Sequence, residues 1–450
     1  MISHANCTIR FFRAALSMLL FGGCLSGVTA GNRVPFPLKD GDTWVMVGDS
    51  ITFQHLHSNY IEAFCFARFP SWNIHFRNAG KPSDTVPWAL QRFDRDVEPW
   101  KPTIISVELG MNDRGRHPGD TYLSDLTNMT ERIRALGARP VYFTSSAVND
   151  GTIATNRSDK NQNLDKRATS FKAFAAAQKA PFADQFHPLV DLWAANNPAE
   201  ICHRWAEMIT NDIHSISELP GREKLEQWLE IWAKSDLRKR GTDLGGNPIH
   251  PGPAGQLTMA AALLQGLNAP GLVSSATLDS TGAAGEVIKC NITNVVSGKD
   301  GQLSFDRLDE SLPMPIPDNA RGGLIIYPAI KDLSQWIIKV TGLKAGTYRV
   351  NIDGVAVADV TADELAAGWN MGVLDKGPVA DQCRLILQKV DEKENIVTKW
   401  RTLSATCDKQ PSNSQLDALE KLNKQVLEAD AEIRKAVQPK IHHFTLSPVK

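Results

Sequence analysis

The sequence predicts an α/β fold: a three-layer α/β/α sandwich around a parallel sheet, followed by a small β-rich module and a helical tail. Three observations carry this. Short β-favouring runs alternate with helical segments from about residue 40 to residue 150, the pattern of a parallel sheet covered on both faces. Several of these runs end in Gly/Asn/Asp-rich turns, at the strand ends where open α/β sheets place their ligands. Beyond Asn268-Ala269-Pro270-Gly271 the composition shifts to short alternating strands and then to helix.

Taken in order, Trp44-Val45-Met46-Val47 reads as a strand running into Gly48-Asp49-Ser50, with helix following from Thr52. A hydroxyl there sits beside free backbone N–H groups and the positive end of a helix, so a nearby anion is stabilised. Alone, Asp and Ser are ordinary turn and N-cap residues. A helix over Asn59 to Phe69 leads to an alternating strand, Trp72 to Arg77, that ends in Asn78-Ala79-Gly80. The next helix, Pro87 to Asp96, is closed by Pro99. Thr103 to Leu109 is the clearest buried strand, and it ends in Gly110-Met111-Asn112-Asp113. Tyr122 to Leu136 reads as helix with Gly137 as its C-cap, and Arg139 to Thr144 as the next strand.

From Gly151 to about Arg240 the pattern is mostly helical, with a short apolar stretch near Pro181-Phe182-Ala183. Four of the eleven tryptophans lie here, Trp193, Trp205, Trp228 and Trp232. They read as helix-packing residues, with the lining of a sugar cleft as the alternative. A rigid loop from Gly245 to Gly255, containing Pro248-Ile249-His250-Pro251, leads into the helix Gln256 to Leu267. The predicted organisation is a segment over 40–272 with a helical insertion at about 151–240, a β-rich module over 273–375 and a helical tail over 376–450. In the tail, Leu416, Leu419, Val426, Ile433 and Val437 recur at near-heptad spacing, too briefly for an oligomerising coiled coil.

Composition narrows the function. An apolar content of 42% with 22% charged residues in 450 describes a globular protein of two or three domains. A net charge of −1 leaves no basic excess for a nucleic-acid partner. Arg10 and Arg13, the apolar run Ala14 to Leu25 and the small-residue site Val28-Thr29-Ala30 read as an export signal over residues 1–30. The run is too short and Gly-interrupted to span a membrane, so no transmembrane segment is expected in the mature chain. Lipoprotein cleavage before Cys24 matches its pattern poorly. The five cysteines beyond the signal form no disulfide framework, Cys383 with Cys407 being the one pair to consider. No G-x-G-x-x-G or P-loop appears, and His55, His57, His203 and His214 lack the spacing of a zinc site. Neither a cofactor nor a metal is expected, and structural or solvated roles are expected for these histidines and for His442-His443.

Gly-Asp-Ser, Asn-Ala-Gly, Gly-Met-Asn-Asp and Pro-Ile-His-Pro, in that order over roughly residues 40–270, resemble the SGNH (GDSL-type) hydrolase family of serine esterases. The resemblance implies a flavodoxin-like sandwich with Ser50 as nucleophile and His250 as general base. It implies an oxyanion hole made by the backbone N–H of Ser50, the backbone N–H of Gly80 and the side-chain amide of Asn112. Chemistry supports each role: hydroxyl attack needs a base in hydrogen-bond reach and donors aimed at the developing oxyanion. Gly80 admits close backbone approach, and Asn112 is a neutral donor that is inexpensive to desolvate at a strand end.

One position departs from the family. An aspartate usually stands three residues before the histidine, and here it is Asn247, with Asp243 the nearest upstream acid. A dyad assisted by Asn247 or a backbone carbonyl ranks ahead of Asp243 as the device that orients His250.

The resemblance implies an exported esterase acting on small-molecule or polysaccharide esters, with O-acetyl groups on carbohydrate as the leading substrate. The alternatives are a lipase or thioesterase of the same mechanism, or a catalytically retired glycan-binding or scaffold protein. Every candidate catalytic residue precedes residue 273, so a chain ended near Leu272 is predicted to hydrolyse small soluble esters if it folds. Should that region complete the site, the Pro-rich stretch Ser311 to Pro317 is the first suspect.

Overall fold

The computed structural model describes residues 35–113, 119–149, 158–195, 209–234, 246–298, 301–407 and 411–449. Residues 1–30, read from the sequence as an export signal and including Cys24, lie outside the described residues, as does Asp243.

Five parallel strands form the central sheet: β1 (Thr43–Gly48), β2 (His75–Asn78), β3 (Ile104–Glu108), β4 (Arg139–Phe143) and β5 (Phe182–Ala183). Their order is β2-β1-β3-β4-β5. This is the flavodoxin-like order, whose topological switch point lies between β1 and β3. Strand β1 is buried on both faces, which its unbroken apolar run requires. Trp44 and Met46 join one core with Phe76 and Val141, while Val45 and Val47 join the other with Ile105 and Tyr142.

Helices α1 (Ser50–Phe53), α2 (His57–Arg68), α3 (Val86–Gln91), α4 (Phe93–Asp96), α5 (Gly119–Ala135) and α6 (Asp159–Ala177) follow in turn. Then come α7 (Phe186–Ala195), α8 (Arg222–Lys234) and α9 (Pro253–Gly266). The helix expected over 87–96 is two short pieces, α3 and α4, divided at Arg92. Gly137, at φ +75°, adopts the left-handed conformation of a C-cap, as its place after α5 predicts. The stretch that reads as a helical insertion contains β5, so α6 and β5 extend the parallel sheet. Two residues are too few for a periodicity signal. Trp193 is buried in one cluster with Leu164 and Ala168 of α6, in the packing role expected for it, whereas Trp228 on α8 is exposed and Trp205 lies outside the described residues.

The β-rich region holds a four-stranded and a five-stranded sheet around one core. Its last strand, Ile441–Pro448, pairs with Thr347–Ile352 on one side and Leu303–Asp309 on the other. The chain therefore returns from its tail into the middle of a sheet. Between these lie two long helices, α10 (Pro378–Thr406) and α11 (Asn413–Ala436), packed against each other. They also complete both cores of the central sheet. Ile386, Leu387, Val390, Ile433 and Val437 join the α2 side, and Val397, Trp400 and Val426 join the α3–α5 side. The Pro-rich stretch lays Leu312, Met314 and Ile316 into the first core, and the Leu312 N–H donates to Ala67 O at 2.9 Å. Cys383 and Cys407 are free thiols. Among the described residues, no helix is long and apolar enough to cross a membrane.

Candidate active site

Ser50 stands at the switch point. Strand β1 ends at Gly48, where a Cβ would lie 2.0 Å from Thr52 Oγ1, so only glycine lets the chain turn this tightly into α1. The Asp49 side chain caps α1, accepting from the Ile51 N–H at 2.9 Å. Ser50 is the first helical residue and half-buried. The expected helix is a single turn, too short to sum a macrodipole. Stabilisation of an anion here falls to individual N–H donors.

His250 reaches Ser50 from a loop 200 positions away, with Nε2 at 2.8 Å from Ser50 Oγ. The loop is closed on itself. The Asn247 N–H donates to His250 O at 3.0 Å, and Gly246 has φ +78° with no room for a Cβ, which would lie 2.1 Å from His250 O. Asn247 Oδ1 accepts from the backbone N–H groups of Ile249 and His250 at 3.0 and 2.9 Å. Those two donors fix which end of the amide faces the imidazole. His250 Nδ1, 3.3 Å from the same oxygen, therefore meets an acceptor and carries the proton. Nε2 is left as the basic nitrogen facing the serine hydroxyl. Asn247 thus sets the tautomer through a long hydrogen bond and supplies no charge.

The other two candidates follow β2 and β3. Gly80 packs on α1 so closely that a Cβ would lie 2.4 Å from Phe53 N. Its N–H is not idle: it donates to Asn78 Oδ1 at 2.9 Å. Asn112 is half-buried and donates one N–H of its amide to Asp84 O at 3.0 Å, which orients the side chain. A neutral donor at this point is expected to serve the chemical step, because an oxyanion exists only after attack. Asn112→Ala is expected to lower kcat by about 10²–10³ with little change in KM. Steady-state kinetics check it, and normal kcat with raised KM would remove Asn112 from the oxyanion hole.

A buried layer beneath these loops was not legible in the sequence. His57 Nε2 lies 2.8 Å from Glu108 Oε2, and its Nδ1 lies 3.0 Å from Gln256 Oε1. Gln256 Nε2 donates to Pro251 O at 2.9 Å, so its oxygen must face His57. Burial pushes the imidazole's pKa down, but the Glu108 carboxylate and the two hydrogen bonds outweigh it and raise it. Both ring nitrogens of His57 face acceptors, and the side chain ties the end of β3 to the His250 loop, a structural role of the kind its surroundings in sequence suggest. Burial also lifts the Asp49 carboxyl to about 7, with Glu108 adding to the rise and the Ile51 N–H opposing it. His214 pairs with Glu226 at 2.8 Å, His442 with Asp353 and His443 with Asp306, each at 2.7 Å. His203 lies outside the described residues.

Fold and sequence together define the class, a carboxylic ester hydrolase. Residues 46–257 match the GDSL-like lipase/acylhydrolase family, so the chain carries a hydrolase domain of the SGNH (GDSL) type. Among solved structures it is similar to a gut microbial diltiazem-metabolizing enzyme, with 20% identity and a TM-score of 0.69 over 93% of this chain and 100% of that one. That likeness is one of fold, and it takes in the C-terminal helices and sheets. The chain is also similar to an acetylxylan esterase from Geobacillus stearothermophilus, with 17% identity and a TM-score of 0.35 over 52% of this chain and 96% of that one. The comparison with curated proteins finds no match.

Proposed function

We propose that the protein is an exported serine esterase that removes O-acetyl groups from carbohydrate, with Ser50 as nucleophile and His250 as general base. The observation that carries the mechanism is the 2.8 Å contact between Ser50 Oγ and the unprotonated Nε2 of His250. As Oγ bonds to the ester carbonyl carbon, its proton passes to Nε2 and the carbonyl oxygen becomes an oxyanion. The Ser50 N–H, the Gly80 N–H and the free N–H of the Asn112 amide stabilise that charge, with the Gly80 N–H shared with Asn78 Oδ1. Collapse expels the alcohol, which takes the proton from Nε2 and leaves an acetyl-serine. Water, deprotonated by His250, then releases acetate.

Support for the carbohydrate ester comes from the resemblance to exported family members with accessory modules. Among the described residues, Asn247 and Pro248 beside His250 are exposed, which suits an ester carried on a bulky alcohol. Export rests on the Arg10/Arg13 and Val28-Thr29-Ala30 pattern. The test combines fluorophosphonate labelling and peptide mapping with acetate release from acetylated oligosaccharides, set against long-chain p-nitrophenyl esters and acyl thioesters. Label on Ser50 with preferential acetate release supports the reading. Label on another residue removes Ser50 as nucleophile, and preference for long acyl chains or thioesters replaces the deacetylase reading with that of a lipase or thioesterase.

The weak point of the constellation is charge. Asn247→Asp keeps the side chain's shape and its two backbone hydrogen bonds, and it adds a carboxylate beside Nδ1 that stabilises the imidazolium formed during attack. In a serine protease the reverse change, Asp to Asn, costs about 10⁴ in kcat, mainly through the wrong tautomer. Here the tautomer is already correct, so a gain of roughly tenfold in kcat/KM is expected, a small part of that range. An unchanged or lowered kcat/KM in a folded variant would show that the site is built for the neutral amide.

A further inference from the structure

The loop that carries Gly80 is held from outside the hydrolase segment. Each of its three carbonyls is capped by a guanidinium. Arg401, on α10, donates from Nη1 to Asn78 O at 3.2 Å and from Nη2 to Gly80 O at 2.6 Å. Arg92, from the hydrolase segment, donates to Ala79 O at 2.7 Å. Glu394, two turns earlier on α10, accepts from the Asn78 N–H at 3.3 Å. Its neighbour Lys393 donates to Phe76 O on β2 at 2.8 Å. These α10 side chains are buried, so their bonds to the loop are shielded from water.

The direction of these bonds matters. With the carbonyls of Asn78 and Gly80 both drawn to one guanidinium, the Asn78–Ala79 and Gly80–Lys81 peptide planes are fixed on either side of the Ala79–Gly80 peptide, whose own carbonyl Arg92 holds. The Gly80 N–H lies in that central peptide, so its direction is set from both sides while Gly80 packs on α1 at Thr52 and Phe53. A surface helix has no need of a buried arginine, since desolvating an unneeded charge is costly. Arg401 spends its donors on two backbone oxygens of one catalytic loop.

We propose that α10 is part of the catalytic unit, with Arg401 as a positioning residue that sets the oxyanion-donor loop Asn78–Gly80. The proposal rests on the assignment of Ser50 and Gly80 to ester hydrolysis and adds to it a helix that lies more than a hundred residues beyond the hydrolase motifs.

The test uses the full-length chain. Arg401→Met removes both carbonyl bonds while keeping an apolar stem; Arg401→Lys keeps the buried charge but not the two-pronged geometry. A displacement of about 1 Å in a positioned group costs on the order of 10²-fold. Arg401→Met is therefore expected to lower kcat per titrated Ser50 site by about 10²-fold with KM little changed, and Arg401→Lys is expected to fall between it and the wild type. Amide exchange in peptides covering residues 76–81 should quicken in the same order. Arg384→Met, on the exposed part of α10 where Arg384 pairs with Asp318, should match the wild type in both readouts. Wild-type kcat per titrated site in either Arg401 variant, or exchange at residues 76–81 unchanged, overturns the proposal. Failure of wild-type Ser50 to label instead sinks the hydrolase assignment, and the exchange measurement still decides whether Arg401 holds the loop.

Discussion

Ser50→Ala is expected to lower kcat on p-nitrophenyl acetate by on the order of 10⁶, the scale on which loss of the nucleophile acts in subtilisin. The variant keeps the rest of the site. His250 retains Asn247 as partner to Nδ1, and Gly80 and Asn112 retain their orienting bonds. Only the atom that forms the acyl bond is missing. What remains is binding and oxyanion stabilisation of direct water attack, which in such sites leaves about 10³–10⁴ over the uncatalysed rate. The same variant should not take up a fluorophosphonate, and its melting temperature should match the wild type, since Ser50 is a half-buried residue whose Oγ pairs with His250 of the site. A folded Ser50→Ala protein with kcat within tenfold of wild type would falsify the assignment of Ser50.

A chain ended at Leu272 is expected to lose cooperative folding and hydrolysis together, contrary to the dispensability that motif positions alone suggest. Helix α2 shows why. All of its residues from His57 to Arg68 are buried, so the central sheet alone cannot cover it. Helices α9 and α10 close over it, and α10 carries Ile386, Leu387 and Val390 into its core. On the opposite face Trp400 packs on Trp100 with ring centroids 4.3 Å apart. Uncovering a large apolar side chain costs roughly 1.5–3 kcal/mol. A handful of such losses equals the whole stability of a typical domain, about 5–15 kcal/mol. Thermal melting of the purified truncated chain checks this. A cooperative transition with wild-type kcat on p-nitrophenyl acetate would show that the C-terminal helices are dispensable.

The site was legible to the extent that its residues sit on local signals. Ser50 and Asn112 each follow a strand whose apolar run is readable without its neighbours, and Gly80 follows one readable from its alternation. His250 sits between prolines just before an apolar helix. Arg401 and Glu394 carry a fainter signal. They fall on the stripe Ile386, Val390, Val397, Ser404 that faces the core, where a charge is out of place. Such a charge announces a buried partner but not which one. Gln256 and His57 give no signal, because a polar residue on a buried helix is recognisable only once its partners are known.

By itself the sequence determined the parallel α/β core and the order of the candidate catalytic loops, because each depends on residues within a few positions of one another. Tertiary structure alone decided the rest. It brought Ser50 within reach of His250, recruited β5 as the fifth strand, returned Ile441–Pro448 to the middle of a sheet and set Arg401 against Asn78 and Gly80. Those contacts join residues from tens to hundreds of positions apart, and no local periodicity records a partner that folding supplies.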